Sequence, residues 1–232
     1  MIHQHIFASP KPGWSEAEFQ KYWLEVHAVR FASKITQIRR YRINTRIPCA
    51  GVDDPPVWNG CAEIWLNNEE EQLASLQSDA FIHGARMDEP NWAAFWNTLA
   101  LDTDAKVLSD DPSGGVRTGI KLITLIKRRW GDPVSQFRRR WAECVAPLLL
   151  EVEGVGRYLQ CTTRDSLYTL GEPRFDGLQQ IWCESLSALE AAVHSSAFRH
   201  AQAHLCQIAE PGYIHSLAVE EHWIIGPGFR GT

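Results

Sequence analysis

Apolar and polar residues alternate from His3 to Ala8, the period-two signature of a half-buried strand, and Pro10-Lys11-Pro12-Gly13 closes it with a turn. Phe19, Trp23, Val26 and His27 then fall within an arc of about 100° on a helix. Ser15 and Glu18 form a capping-box pattern, so a helix is predicted from about Glu16 to Ser33. Gln37 to Ile47 reads as a second strand and Trp58 to Leu66 as a third, joined by the loop Pro48 to Val57. A helical stretch from Glu69 to about Phe95, broken near Gly84 and Pro90, precedes a strand at Leu99 to Leu108.

The stretch Ser109 to Gly115 reads as a linker, after which the order repeats. Ile120 to Lys127, Val134 to Leu149, Gly156 to Thr163, Gly177 to Cys183, Leu186 to Gln207 and Leu217 to Ile225 are the predicted elements, with an irregular tail from Gly226. Residues recur as well as elements. Phe19-x-x-x-Trp23-x-Glu25-x-x-Ala28 returns 118 positions later as Phe137-x-x-x-Trp141-x-Glu143-x-x-Ala146. At an offset of 117, Tyr41 matches Tyr158, Gly60 matches Gly177, Ile64-Trp65 matches Ile181-Trp182, and Phe81 and His83 match Phe198 and His200.

A period of this size is that of a small domain rather than a solenoid unit. The expected fold class is α+β: two ferredoxin-like βαββαβ repeats, residues 1–110 and 116–232. Strands with few charges, such as Gly119 to Ile126, read as buried on both faces. The two sheets are therefore expected to face each other in an intramolecular, pseudo-dimeric α+β barrel, and such a chain can still associate as a homodimer.

The 232 residues carry a formal charge of −5, with basic runs only at Lys127-Arg128-Arg129 and Arg138-Arg139-Arg140. Nucleic acid is therefore not an expected partner. Ten Trp supply bulky core anchors, and six Cys without metal-like spacing read as reduced thiols. The N-terminal residues show no secretory pattern and no window is a membrane span, so the expectation is a cytoplasmic, soluble protein.

His27 sits on the apolar helical stripe, where an imidazole is more often a satisfied core residue than a reactive one. The internal repeat changes that balance, because Val145 stands at the equivalent position while Phe137, Trp141 and Glu143 are kept. His3 and His5 are likewise matched by Lys121 and Ile123. The first half is the candidate active half.

The segment Phe19 to Ala28, with Lys11-Pro12-Gly13-Trp14-Ser15 before it and Tyr41 and Glu63-Ile64-Trp65 after it, resembles the EthD family of the dimeric α+β barrel superfamily. Its signature is similar to F-x-x-Y-W-x-x-x-H-x-P, from which this chain departs at Val29. The resemblance covers the first half and, more weakly, the second. It implies a cleft between helices and sheet faced by His27, and a superfamily that holds cofactor-free cyclases, isomerases, decarboxylases and dehydratases beside heme enzymes.

An imidazole titrating near neutral pH can take a proton from an acidic carbon or phenol and return it to a leaving hydroxyl. His27, with His5 and Tyr41 as polar partners, is the expected catalytic set. Arg30, Tyr22, Trp23, Trp65, Phe81, His83, Asp102 and Asp104 are the candidate substrate-binding residues. Tyr22 falls about 140° round an α-helix from His27, and Asp102 and Asp104 are the carboxylates offered to orient the imidazole. The expected function is that of a cofactor-independent lyase (dehydratase, decarboxylase or aldol-type cyclase) acting on a small aromatic or polyketide-like molecule. The alternatives are a heme enzyme ligated through His200, His83 or His204, and a non-catalytic binding protein for a hydrophobic metabolite. His200-x-x-x-His204 lacks the glutamate of a zincin motif, and no metal is expected.

Overall fold

The computed structural model describes residues 1–109 and 119–231, so the expected linker beyond Ser109 lies outside the described residues. Strands β1 (Ile2–Ala8), β2 (Arg40–Arg46), β3 (Gly60–Leu66) and β4 (Leu99–Ser109) belong to the first half. β5 (Ile120–Arg128), β6 (Arg157–Thr163), β7 (Gly177–Cys183) and β8 (Ala209–Ile225) belong to the second. Helical segments separate β1 from β2, β3 from β4, β5 from β6 and β7 from β8; the first half runs βαββαβ, the second follows the same order with one added short helix between β6 and β7, and the α+β fold class is the one expected. The hydrogen-bonded strand order is β1-β3-β2-β8-β5-β7-β6-β4. Among the described residues no helix is long and apolar enough to cross a membrane.

The chain divides into two compact units. The first comprises Met1–Arg46, Val57–Asp102 and Glu221–Thr232, the second Ile47–Pro56 and Thr103–Glu220. In the first unit β3 pairs antiparallel with β1 and β2, placing His3 opposite Trp65, His5 opposite Glu63 and Arg42 opposite Glu63. The pleat sends alternate residues to opposite faces. Ile6, Tyr41, Ala62 and Ile64 point to the helical side, and His3, His5, Arg42 and Glu63 to the other.

Helix α1 (Glu16–Tyr22) starts on the expected capping box: Ser15 Oγ accepts from the Glu18 N–H, and the Glu18 carboxylate accepts from the Ser15 N–H. It does not continue as an α-helix. Trp23–Phe31 is π-helical, and the Ala32 N–H that ends it reaches the carbonyls of both His27 and Ala28. The predicted long helix after β3 is also a series of pieces: α2 (Glu69–Leu76), a π-helical segment Ala80–Ala85, a turn at Arg86–Asp88 and a 3₁₀ turn at Glu89–Asn91 with its proline at the start.

In the second unit the predicted helix Leu186 to Gln207 is cut in two. Ser195 is extended (ψ 156) and its hydroxyl accepts from the Phe198 N–H, ending Leu186–His194 and capping Ser196–Ile208. β8 begins at Ala209, earlier than predicted, and a helix at Asp165–Leu170 was not predicted. One local arrangement occurs in both units. Gly60 lies beneath Trp23 and Gly177 beneath Trp141, and any Cβ at either glycine would meet the indole at 2.8 Å. That close approach is why a glycine opens both strands.

Candidate active site

Between the sheet and the helical segments of the first unit lies a cavity of about 220 Å³. Ile6, Ala62 and Ile64 form its sheet side, Trp23, His27 and Trp92 its helical side, and the lining is mostly hydrocarbon. Trp92 packs 4.7 Å from the His27 ring and 5.0 Å from Trp23, centroid to centroid. The aromatic wall thus also fixes the imidazole.

His27 is 7% exposed and its Nδ1 lies 2.9 Å from Oδ2 of Asp88, itself buried. The other carboxylate oxygen accepts from the Tyr22 hydroxyl at 2.9 Å and from Asn91 Nδ2 at 3.2 Å. The Trp92 indole N–H also addresses His27 Nδ1, at 3.2 Å. These two contacts ask for opposite tautomers, and the shorter one, to the Asp88 carboxylate, is the stronger. Nδ1 then carries the proton and Nε2, engaged by neither residue, carries the lone pair. Burial pushes the His27 pKa below its ordinary value, while hydrogen bonding and the charge of Asp88 pull it up. The net shift is downward, so the imidazole is neutral and basic near neutral pH.

Tyr22 reaches this carboxylate because the turn is π-helical. With i→i+5 bonding, residues five apart come to share a face instead of lying about 140° round, as an α-helix would place them. Tyr41 lines the cavity fully buried, its hydroxyl bonded to Trp23 and its pKa raised by burial. Phe81 and Trp23 line the cavity.

Several expected site residues lie elsewhere. His5 is on the opposite face of the sheet, its ring centroid 4.1 Å from that of His3 and its Nε2 3.6 Å from Glu63 Oε2, because odd-numbered positions of β1 face away from the helices. Trp65 follows the same parity and stacks on His3 at 4.3 Å. Neither orienting carboxylate offered for His27 reaches it: Asp102 accepts from Gln4 and Gln72, and Asp104, in the second unit, pairs with Arg164. Arg30 is exposed and outside the cavity lining, near enough to Tyr22 to oppose the rise of its pKa. His83 is exposed beside Asp79. The imidazoles considered as heme ligands, His83, His200 and His204, are absent from the cavity lining, so they do not fit an axial role there.

That opposite sheet face carries its own buried network. Arg42 donates to both oxygens of Glu63 and pairs with Glu221, Asn44 donates to Glu63 Oε1, and His3 Nε2 lies 2.7 Å from Glu63 Oε2. Desolvation drives the His3 pKa down to about 3.

Sequence reasoning missed Asp88, Asn91 and Trp92, which follow the glycine and flank the proline taken only as helix breaks. The repeat held a usable signal. Leu205 stands 117 positions after Asp88, just as Val145 replaces His27, and both belong to the apolar core of the second unit. Ala62 on the cavity floor is matched by Gln179, whose Oε1 accepts from Trp141 Nε1 at 3.3 Å and Tyr158 Oη at 3.2 Å. A histidine, a carboxylate and space in one half correspond to two hydrocarbons and a space-filling amide in the other.

No curated protein matches the sequence. Among solved structures, an anthrone oxidase-like protein is 13% identical, with 100% of this chain and 96% of that chain covered at a TM-score of 0.64. A candidate monooxygenase from Fusobacterium nucleatum subsp. nucleatum is 10% identical over 99% and 95% of the two chains (TM-score 0.58), and one from Lactobacillus acidophilus is 10% identical over 99% and 97% (TM-score 0.53). At these identities the likeness speaks for the fold. Residues 11–95 match the EthD domain family, and that stretch contains α1, its π-helical extension, His27, Asp88 and Trp92. That match lies wholly within the first half of the chain.

Proposed function

We propose that this protein is a cofactor-independent enzyme that moves a proton on a small aromatic or polyketide-like molecule held in the first-unit cavity. His27 Nε2 takes the proton from an acidic carbon beside a carbonyl, Asp88 steadies the imidazolium through Nδ1–H, and Trp23, Phe81 and Trp92 clamp the flat substrate. In the lyase reading the imidazolium then gives that proton to a leaving hydroxyl, so water departs as the new double bond forms. The observation that carries the reading is His27 on the wall of an apolar cavity with the Asp88 carboxylate bonded behind it.

Likeness to an anthrone oxidase-like protein favours a second outcome for the same carbanion, its capture by dioxygen. Both outcomes share the first step. Candidate ketones incubated with the protein in D₂O should gain deuterium at the acidic carbon, and His27→Asn should abolish the exchange. Exchange that persists in the variant would remove His27 from the reaction, and dioxygen uptake separates oxidation from elimination.

A further inference from the structure

The charges around the cavity define the substrate more narrowly than its shape does. Among the described lining residues only Arg86 and Glu89 are of a charged type, and they neutralise each other at 2.7 Å on the rim, where the Arg86 side chain is 60% exposed. Behind the lining, Asp88 is buried against an imidazole that burial keeps neutral. The acidic group nearest the interior is therefore the Asp88 carboxylate behind the imidazole, with no lysine and no arginine beyond the paired Arg86 among the described lining residues to offset it.

We propose that the cavity selects electrically neutral aromatic molecules and excludes their carboxylate counterparts. The inference rests on the reading of this cavity as the substrate site. A substrate that entered as an anion would face Asp88 in a low-dielectric space across a neutral ring, placing two negative charges within a few ångströms of each other. A neutral substrate meets no such repulsion. Proton transfer then converts a neutral pair into substrate anion and imidazolium, and the imidazolium comes to lie between the new anion and Asp88. The anion is stabilised only while that proton remains on His27, which favours its immediate onward reaction over release.

The test uses a matched pair of probes, 1-naphthol and 1-naphthoate, with equilibrium dialysis against the full chain at pH 7. Naphthol should bind at least about tenfold more tightly. Because naphthol is also the more apolar probe, two variants isolate the charge. Asp88→Asn should narrow the ratio by raising naphthoate affinity, and Leu76→Arg, which puts a cation on the partly exposed rim, should do the same from the other side without disturbing the buried carboxylate. Binding of naphthoate within about threefold of naphthol, a ratio unmoved in both variants, or no binding of either probe would overturn the inference. Deuterium exchange reads turnover independently: selectivity without exchange defeats the proton-transfer reading alone, and exchange without selectivity defeats only the charge rule.

Discussion

His27 Nδ1 and Asp88 Oδ2 stand 2.9 Å apart although 61 positions separate them in the chain, and the second half carries hydrocarbon at both corresponding places. A buried carboxylate beside a buried imidazole is costly in desolvation and weak evidence for stability. Its joint absence from an otherwise parallel half fits a pair kept for chemistry.

Replacing His27 by Asn should lower kcat/KM by roughly 10²- to 10⁴-fold, the usual share of general acid–base catalysis. The wild-type rate should stay flat around neutral pH and fall as acid protonates Nε2 below the ordinary histidine range, because burial depresses that pKa. Asp88→Asn removes the influence that raises it, so the acid limb should move to still lower pH while the plateau drops. A limb that moved upward would contradict the assigned pairing.

Transplanting the second-half pair tests the same relationship by stability. Asp88→Leu alone leaves a buried imidazole, the Tyr22 hydroxyl and Asn91 without their acceptor, at a cost of about 1–3 kcal/mol. Adding His27→Val should recover stability, since replacing a whole buried pair by hydrocarbon is often neutral or stabilising by about 1–4 kcal/mol. Urea unfolding of the two single variants and the double variant reads this directly. A double variant less stable than either single one would show that the pair holds the fold.

Tyr22→Phe deletes one of the bonds that steady Asp88 without touching the cavity. The expected result is a stability loss of about 0.5–1.5 kcal/mol and a lower kcat with little change in KM. A rise in KM alone would place Tyr22 in substrate contact instead.

Gly60→Ala should destabilise by about 1–3 kcal/mol through overpacking. The new Cβ would lie 2.8 Å from the Trp23 ring and 2.9 Å from the Asn44 carbonyl oxygen, and the backbone side cannot yield. As Trp23 is a cavity wall, ligand affinity should fall with thermal stability. Unchanged Tm and binding would mean that the strand opens more easily than its contacts suggest.

Acid stability should follow His3. Its pKa is about 3 folded against 6.5 unfolded, so in between the unfolded chain binds a proton that the folded chain refuses. Stability should therefore be complete above 6.5 and fall as pH drops towards 3, with a slope approaching about 1.4 kcal/mol per pH unit from this residue. His3→Asn should start lower at pH 7.5 yet lose stability less steeply on acidification, as followed by circular dichroism. An unchanged slope would assign the acid sensitivity to other groups.

Much of the fold was readable because period-two and helical patterns are local. The capping box at Ser15 and the strands around His5 and Tyr41 follow from neighbouring residues. The site was readable in part. His27 is marked by its position on the apolar stripe and by Val145 in the repeat, whereas the alternation of β1 puts His5 on one face with His3 without saying which face meets the helices.

What the amino-acid order determined by itself was the repeated βαββαβ plan and the one imidazole on the inner stripe, since backbone periodicity and burial act over a few residues. The tertiary structure decided which carboxylate meets that imidazole. Asp102 and Asp104 lie on a strand whose side chains are committed to Gln4, Gln72 and Arg164, while Asp88 is carried in by a broken run of short helical turns. The π-helical widening after Trp23 then brings Tyr22 round to the same oxygen pair. Neither a break in helix register nor a contact across 61 residues has a local sequence period, so both come only from how the segments pack.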